Sequence, residues 1–255
     1  MTTREATTVK HIVALSGGKD STAMALRLQE IGDHDYEFIC TPTGNELPEM
    51  VDHWLKIGKL LGKPLLPVTM GKSIQGESRR QKCLPNSRMR WCTRILKLEP
   101  FSRYLMQNLP CVSYVGIRAD ETATRDGVDW EALDDGVTNR YPLVEWGWGV
   151  KHVMRYLDEK GVTIPTRTDC AMCFYQRLGE WWRLWKNYPE QYSEAAQLET
   201  DIGHTLRSKD RDTWPASLVD LGAEFQRGNV PKGADQLDFE LSIEARSTMC
   251  SFCAR

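Results

Sequence analysis

One short segment constrains the fold of this chain more than any other: Ser16, Gly17, Gly18, Lys19, Asp20 and Ser21. It lies between an apolar run at 10–15, typical of a buried strand, and a run at 20–31 whose apolar residues share one helical face. The two glycines let the backbone turn sharply and bring its N–H groups close to an anion. The serines add hydroxyl donors, the lysine adds a point charge, and the helix start adds a partial positive charge. An ordinary capped turn explains a Gly-Gly pair, but the complete segment predicts a phosphate-binding loop.

The same alternation of strands and helices continues after this loop. Three further apolar runs are predicted strands: 36–41, 65–69 and 111–117. Helices fit three other segments: 47–61, 88–108 and 149–160. Alternating strands and helices predict an α/β fold with a doubly wound, mostly parallel sheet that carries helices on both faces.

Two predicted loops interrupt this pattern, at 71–87 and at 118–140, and the second is rich in acidic residues and is interpreted as an active-site loop. Beyond about residue 165 the chain is aromatic and charged by turns, with predicted helices at 177–187 and 190–207. We therefore expect an α/β domain over 1–165 and a helical, cysteine-containing C-terminal extension over 166–255.

Composition narrows the class of protein. Hydrophobic residues make up 41% of the 255 residues and charged residues 27%, which excludes disordered and fibrous chains. The 33 Lys and Arg nearly balance the 35 Asp and Glu, so the net charge is −2 and a globally basic nucleic-acid binder is not indicated. Neither a membrane span nor a signal peptide is expected. We expect a cytoplasmic protein whose eight cysteines serve metal or redox chemistry.

The glycine-rich segment resembles the pyrophosphate loop (PP-loop) of the adenine nucleotide alpha-hydrolase superfamily. Three later segments resemble the phosphoadenosine phosphosulfate (PAPS) reductase family: Thr43-Gly44-Asn45-Glu46-Leu47-Pro48-Glu49, Gly116 to Arg125, and Tyr141-Pro142-Leu143-Val144-Glu145-Trp146. The resemblance covers about residues 10–175. It implies a Rossmann-like sheet and an adenine nucleotide ligand, either ATP or an adenylylated sulfur compound.

The resemblance also implies a set of site residues. Besides the six residues of the loop, the nucleotide contacts would include Thr43, Gly44, Glu46 and Gly116. The implied catalytic residues are Lys19, Asp20, Arg118 and Arg125. The two arginines follow the predicted strand 111–117, at the edge where open α/β sheets bind ligands, and guanidinium groups suit phosphate or sulfate oxygens.

Reductases of this family usually carry a degraded PP-loop, whereas the loop here is intact and resembles that of the branch that cleaves ATP. That branch binds ATP with Mg²⁺, adenylylates a substrate oxygen and lets a sulfur or nitrogen nucleophile displace AMP. The implied acceptor is a nucleic acid or a nucleotide, and the implied sulfur donor is a protein such as a cysteine desulfurase. A homodimer is one possible assembly. Two alternatives stay open: a sulfonucleotide reductase that uses a thioredoxin-like reductant, and a nucleotide-binding module without turnover.

The cysteines carry a second resemblance. The run from Cys92 to Pro100 resembles the Cys-Cys…Lys-x-x-Pro helix of iron–sulfur adenylylsulfate reductases, with Thr93 in place of the second cysteine. Cys170-Ala171-Met172-Cys173 lies where those enzymes place a Cys-x-x-Cys pair. Three thiols of this chain would then align with three of the four ligands of a 4Fe-4S cluster.

The fourth ligand is open, because a second Cys-x-x-Cys pair, Cys250 and Cys253, stands near the last residue. One arrangement joins the two pairs in a four-cysteine site, which suits zinc or a 4Fe-4S cluster. A second builds a cluster on Cys92 and the first pair, with a tail cysteine or sulfide as fourth ligand. A third leaves a tail cysteine as a mobile redox nucleophile. Cys40 and Cys111, inside predicted strands, are interpreted as small buried hydrophobic residues.

Residues 72–97 hold eight basic residues against one acid, Glu77. This local asymmetry has three interpretations, in order of preference: contact with a nucleotide or sulfonucleotide, contact with a nucleic-acid backbone, and plain solvation.

The tail cysteines generate a direct test. If Cys250 and Cys253 are metal ligands, deleting residues 250–255 releases the metal and lowers the melting temperature, because the free energy of metal binding is also folding free energy. Iron, zinc and sulfide analysis after anaerobic purification, together with thermal unfolding, makes the measurement. Unchanged metal content after truncation contradicts the ligand role and favours a mobile nucleophile.

Overall fold

A computed structural model describes residues 8–124 and 136–234. Its sheet consists of five strands: β1 (Lys10–Ala14), β2 (Tyr36–Cys40), β3 (Leu66–Pro67), β4 (Cys111–Tyr114) and β5 (Val137–Arg140). The strand order is β3-β2-β1-β4-β5, and all four neighbouring pairs are parallel. The predicted doubly wound parallel sheet is therefore confirmed.

The helices are α1 (Lys19–Ile31), α2 (Pro48–Leu61), α3 (Ile74–Gln81), α4 (Trp91–Thr93), α5 (Glu99–Met106), α6 (Pro142–Glu145), α7 (Val150–Glu159), α8 (Leu178–Asn187), α9 (Pro189–Ile202) and α10 (Leu218–Gln226). A π-helical turn, Arg94–Leu98, joins α4 to α5, and a 3₁₀ helix spans Ala119–Thr124. Local sequence sets the ends: Pro48 occupies the first turn of α2, and Gly32 ends α1 with a positive φ of 63°. No helix within the described ranges has the length and apolar character needed to cross a membrane.

Three sequence-based expectations differ from the structure. The loop predicted at 71–87 contains α3, whose start is capped by Ser73, with the buried Ile74 supplying a core contact. The loop predicted at 118–140 ends in strand β5, a four-residue edge strand whose side chains alternate between partly buried and exposed. Helix α10 was not predicted. Helix α3 and strand β5 are short and largely polar, so periodicity alone does not indicate them. Helix α10 is short but apolar, and its Leu218, Leu221 and Phe225 pack into the core.

Two main hydrophobic clusters lie on different parts of the fold. One packs α1, α2 and α7 against the sheet, with Val13, Phe38 and Tyr114 at most 1% exposed. The other joins α8–α10 to the segment 74–96 and is centred on Trp181, which is fully buried. The aromatic C-terminal segment is thus core rather than a base-stacking surface. The division into two domains at residue 165 stays a prediction.

A buried carboxylate organises the C-terminal helices. Glu199 on α9 is 5% exposed and accepts hydrogen bonds from the backbone N–H groups of Leu206 and Leu218, both at 2.7 Å. It therefore holds the connection between α9 and α10 at both ends. Burial raises the pKa of Glu199 to about 7, although these two bonds and the nearby Arg207 act in the opposite direction.

This pKa predicts a pH-dependent contribution to stability. Because Glu199 ionises more readily in the unfolded chain, its contribution is fully present below its usual pKa of 4.5 and is lost as the pH rises to about 7. At about 1.4 kcal/mol per unit, the loss is of the order of 3 kcal/mol. We expect urea unfolding at pH 4.5 and pH 8 to show a steeper decline for the wild type than for Glu199→Gln. Equal pH dependence in both proteins would contradict this assignment.

Candidate functional site

The sheet order places a crevice between the carboxyl ends of β1 and β4, because the connections from these neighbouring strands run in opposite directions. The 16–21 loop follows β1, and Gly116 follows β4. A Cβ on Gly116 would lie 3.1 Å from the backbone N of Ser21, so glycine permits the close approach of the two segments. Gly17 has a φ of +86°, and a Cβ there would lie 2.1 Å from the Met50 side chain. Both glycines are therefore required by the geometry.

The 16–21 loop is ordered by its own hydroxyl groups. Ser16 Oγ accepts from the Gly18 N–H at 3.3 Å and lies 3.0 Å from Ser21 Oγ, which donates to the Gly18 carbonyl at 3.1 Å. The indole N–H of Trp54 donates a hydrogen bond to the Ser16 carbonyl at 3.0 Å. Helix α1 begins at this loop without a side-chain cap, so its first N–H groups are suited to an anion.

A buried charge cluster lies beneath the loop. Asp20 Oδ2 accepts from Lys19 Nζ at 3.1 Å and from Arg118 Nη1 at 2.8 Å. Arg118, 2% exposed, also pairs with Asp120 at 2.8 Å and with Glu121 at 2.9 Å. Burial acts to lower the pKa of Arg118, but the carboxylates outweigh it and raise that pKa. Among the described residues, two cations thus face three carboxylates.

This cluster assigns a structural task to two predicted catalytic residues. Lys19 and Arg118 both contact Asp20, and the Arg118–Asp20 pair joins the loop after β1 to the segment after β4. Within the described ranges, the second oxygen of Asp20, Oδ1, is buried without a hydrogen-bond partner. Arg125 lies outside the described residues. The phosphate contacts predicted for these side chains stay predictions.

The loop after β2 contributes the predicted residues Thr43, Gly44 and Glu46. The Glu46 carboxylate accepts from the Thr43 N–H at 2.6 Å, the Thr43 hydroxyl at 2.7 Å and the Gly44 N–H at 3.1 Å. Gly44 has a φ of +77°. Because β2 lies beside β1 in parallel, this loop and the 16–21 loop lie at the same edge of the sheet.

The described cysteines predicted as ligands lie in one neighbourhood. Cys170 and Cys173 share a turn in which the Cys173 N–H donates to the Cys170 carbonyl at 3.1 Å. A thiol hydrogen bond from Cys170 to Cys173 raises the pKa of Cys170 well above its usual range and lowers that of Cys173. Burial raises the pKa of Cys92, an effect to which Cys173 adds and which Lys97 opposes. Cys250 and Cys253 lie outside the described residues.

The donor set fits a thiolate-ligated metal group in its chemistry, because the three thiols lie in one neighbourhood with cations nearby. In residues 8–124 and 136–234, however, no three His, Cys, Asp or Glu side chains are close enough together to hold a metal ion. Cys40 and Cys111 are buried in strands, as expected, and burial raises the pKa of Cys40 to about 12.

Sequence reasoning missed two residues that border this neighbourhood. Asn45 bonds to the cysteine loop through its backbone carbonyl and its side chain. Arg167, 7% exposed, donates from Nη2 to the Cys170 carbonyl at 3.1 Å, and in the described part of the chain its Nε and Nη1 have no acceptor. Asn45 stands inside the Thr43–Glu49 segment, whereas no spacing or periodicity marks Arg167.

The basic residues of segment 72–97 make several different kinds of contact. Three of its arginines form ion pairs: Arg79 with Asp201, Arg80 with Glu77, and Arg94 with Glu99. The guanidinium carbon of Arg90 lies 5.7 Å from the ring centre of Tyr175. The positive charge of Lys97 acts to lower the pKa of Cys92 and of Cys170. Lys82 and Arg88 are exposed. Much of the local positive charge is therefore used within the fold.

A family model described as the phosphoadenosine phosphosulfate reductase domain matches residues 10–182. Two proteins of Methanocaldococcus jannaschii, both uncharacterized, are similar in sequence. MJ0973 is 29% identical over 202 residues, which cover 75% of this chain and 48% of that protein. MJ0066 is 28% identical over 217 residues, which cover 73% and 43%. The chain thus spans about half the length of the curated relatives it matches.

Two solved structures resemble the fold. A phosphoadenylyl-sulfate reductase from Candida auris in complex with phosphate aligns with a TM-score of 0.49 and 18% identity, over 62% of this chain and 76% of that one. The U34-tRNA thiolase NcsA from Methanococcus maripaludis, with its [4Fe-4S] cluster, aligns with a TM-score of 0.40 and 16% identity, over 88% and 82%.

The unsatisfied nitrogens of Arg167 predict an unusual stability effect. A guanidinium does not lose its proton, so burial without a counter-ion costs folding free energy. We expect Arg167→Met to raise the free energy of unfolding by about 1–2 kcal/mol in urea titrations of the ligand-free protein. The matched control is Arg207→Met, because Arg207 is 2% exposed but pairs with Asp212 at 2.7 Å. The control should lose stability, and a similar loss in Arg167→Met would contradict the prediction.

Proposed function

The chain belongs to the phosphoadenosine phosphosulfate reductase domain family, and on that premise we propose that it binds ATP at the 16–21 loop, releases pyrophosphate by adenylylating a substrate, and supports sulfur transfer to a nucleic acid or nucleotide. One observation carries the proposal: the intact loop, ordered by its own hydrogen bonds, lies at the carboxyl edge of β1 beside the segment that follows β4.

The loop offers the groups that a triphosphate requires. The first N–H groups of α1 and the hydroxyls of Ser16 and Ser21 are donors for phosphate oxygens. The hydroxyls now bond to the loop itself, so a phosphate would take over these contacts without reordering the backbone. Such preorganised donors stabilise the charge that develops on departing pyrophosphate.

The site also fits Mg²⁺. Asp20 Oδ1 is a buried carboxylate oxygen without a hydrogen-bond partner among the described residues, and carboxylate oxygen is the donor that Mg²⁺ prefers. Asp20 would hold the ion directly or through water, and the ion would supply charge neutralisation for the phosphates. Lys19 and Arg118 keep Asp20 in place through their ion pairs.

The cysteine neighbourhood supports the sulfur step. Cys92, Cys170 and Cys173 would hold a 4Fe-4S cluster, or zinc as the alternative, with Cys250 or Cys253 as a further ligand. When bound, a cluster would supply a site for a sulfur species. Of the surrounding residues, Lys97 and Arg167 provide positive charge beside the thiols, which favours anionic sulfur.

The acceptor substrate and the partner proteins are also part of this proposal. The exposed Lys82 and Arg88 are suited to a phosphate backbone, which supports a nucleic acid over a small neutral acceptor. A cysteine desulfurase would deliver sulfur, and a homodimer is compatible with this scheme.

Sulfonucleotide reduction is the second candidate, with a thioredoxin-like protein as reductant. Family membership favours it, as does the lowered pKa of Cys173, since a thiolate is the nucleophile in such chemistry. Titration with ATP and with a sulfonucleotide separates the two candidates. Binding of either ligand without turnover would leave a nucleotide-binding module.

Ser16→Ala and Asp20→Asn test the loop. We expect each to weaken binding of ATP with Mg²⁺ about 10- to 150-fold in calorimetry, because charge-assisted hydrogen bonds are worth about 1.5–3 kcal/mol. Ser102→Ala, on the partly exposed side of α5, is the control and should bind like the wild type. Melting temperatures confirm that the variants fold. Wild-type affinity in folded Ser16→Ala and Asp20→Asn would remove the basis for ATP binding at this loop.

A further inference from the structure

The loop after β2 and the cysteine pair are joined as one unit. The Ala171 N–H donates to the Asn45 backbone carbonyl at 2.7 Å, and the Met172 N–H donates to Asn45 Oδ1 at 3.0 Å. Glu46 and Cys170 form an isolated antiparallel bridge. Asn45 therefore binds both residues that separate the two cysteines.

These hydrogen bonds are buried, and they join Asn45 to two adjacent residues of the cysteine loop. Asn45 is 6% exposed, and Ala171 and Met172 are fully buried. Only two residues separate Cys170 from Cys173, and both donate to Asn45. A shift of the backbone between the two cysteines therefore disturbs the bonds to Asn45. Buried polar groups tolerate little loss of hydrogen bonding, so the disturbance passes along the chain.

On its other side, Asn45 adjoins the nucleotide edge. Its neighbours Gly44 and Glu46 belong to the hydrogen-bonded turn in which the Glu46 carboxylate holds the N–H groups of Thr43 and Gly44. Close to the cysteine pair, Thr168 lies beside the PP-loop, with its hydroxyl 3.8 Å from the position of a Cβ on Gly18. The cysteine loop thus meets the predicted nucleotide contacts at two points.

We propose that Asn45 is a positioning residue that couples the chemical state of the Cys170–Cys173 pair to nucleotide affinity. This inference rests on the proposed binding of ATP. In the reduced protein Asn45 accepts both N–H groups, one at its backbone carbonyl and one at its side-chain oxygen. A disulfide brings the sulfurs to about 2.05 Å and imposes its own dihedral angle. The turn then shifts away from Asn45, the loop of Thr43 and Gly44 loosens, and ATP binds more weakly.

Oxidation with diamide provides the second state. Cys170 and Cys173 lose two protons and two electrons as the S–S bond forms, and diamide takes them up to become the hydrazine. The full-length, metal-free chain is used in both states, and peptide mass spectrometry identifies the disulfide. Cys170→Ser cannot form this disulfide, so it reports any effect of diamide at other cysteines.

Calorimetry then gives the ATP dissociation constant of the reduced and oxidised protein. We expect the wild type to bind at least fivefold more weakly when oxidised, within the usual range of coupling between sites. Asn45→Asp keeps an oxygen acceptor for the Met172 N–H and should retain the ratio. Asn45→Ala removes this side-chain acceptor, and the ratio of its oxidised to its reduced dissociation constant should fall below twofold. Asn108→Ala, in which an exposed hydrogen bond to Lys10 is removed, should behave like the wild type.

Because coupling is reciprocal, ATP should also change the reduction potential of the cysteine pair, an effect that a purely structural role of Asn45 would not produce. Saturating ATP should stabilise the dithiol by the same factor, so a fivefold ratio raises the reduction potential of the pair by about 20 mV in a glutathione redox buffer. Asn45→Ala should show no such shift.

The outcomes are distinguishable. If neither state binds ATP, the proposed function fails, and the inference fails with it. If the wild type binds ATP equally well in both states, the coupling is absent although ATP binding stands. If folded Asn45→Ala keeps the wild-type ratio, the coupling runs through other contacts and Asn45 is not the positioning residue.

Discussion

The buried ion pair between Asp20 and Arg118, 2.8 Å long, is the interaction on which the site depends. It joins the first turn of α1 to the segment after β4, across the point where the strand order reverses. It adds a direct side-chain contact between the 16–21 loop and the segment after β4, beyond the pairing of β1 with β4. Burial makes the pair sensitive to the loss of either partner, because the charge that stays behind in a water-poor environment is then less well compensated.

The protein treats its buried arginines in two different ways. Arg118 and Arg207 are each 2% exposed and each contact carboxylates, so their charge is balanced within the fold. Arg167 contacts the Cys170 carbonyl and has no ion pair with a carboxylate among the described residues. A buried cation of this kind has a physical cost that the fold does not recover internally. An anion bound beside the cysteine pair would offset this cost.

The loop after β2 and the cysteine pair meet at one edge of this fold, through one backbone bond and one side-chain bond. The turn of Thr43 and Gly44 follows β2, whereas the cysteine pair lies far along the chain, in the segment before α8. Asn45 connects them through one backbone bond and one side-chain bond. The cysteine loop also belongs to the aromatic cluster around Trp181. A rigid core therefore supports one side of the site, and the parallel sheet supports the other.

The sequence by itself determined the α/β class, the parallel sheet and the position of the glycine loop, because local periodicity and backbone requirements encode these features directly. The Cys-x-x-Cys spacing marked Cys170 and Cys173, and the resemblance to iron–sulfur adenylylsulfate reductases marked Cys92. Only the tertiary structure decided what Arg118 and Arg167 contact, since a charged residue looks the same in sequence whether it is solvated, paired or buried alone. The short elements α3 and β5 likewise depend on packing and strand pairing with distant residues. Contacts between segments far apart in the chain leave no local pattern, and for that reason the link through Asn45 is a property of the fold.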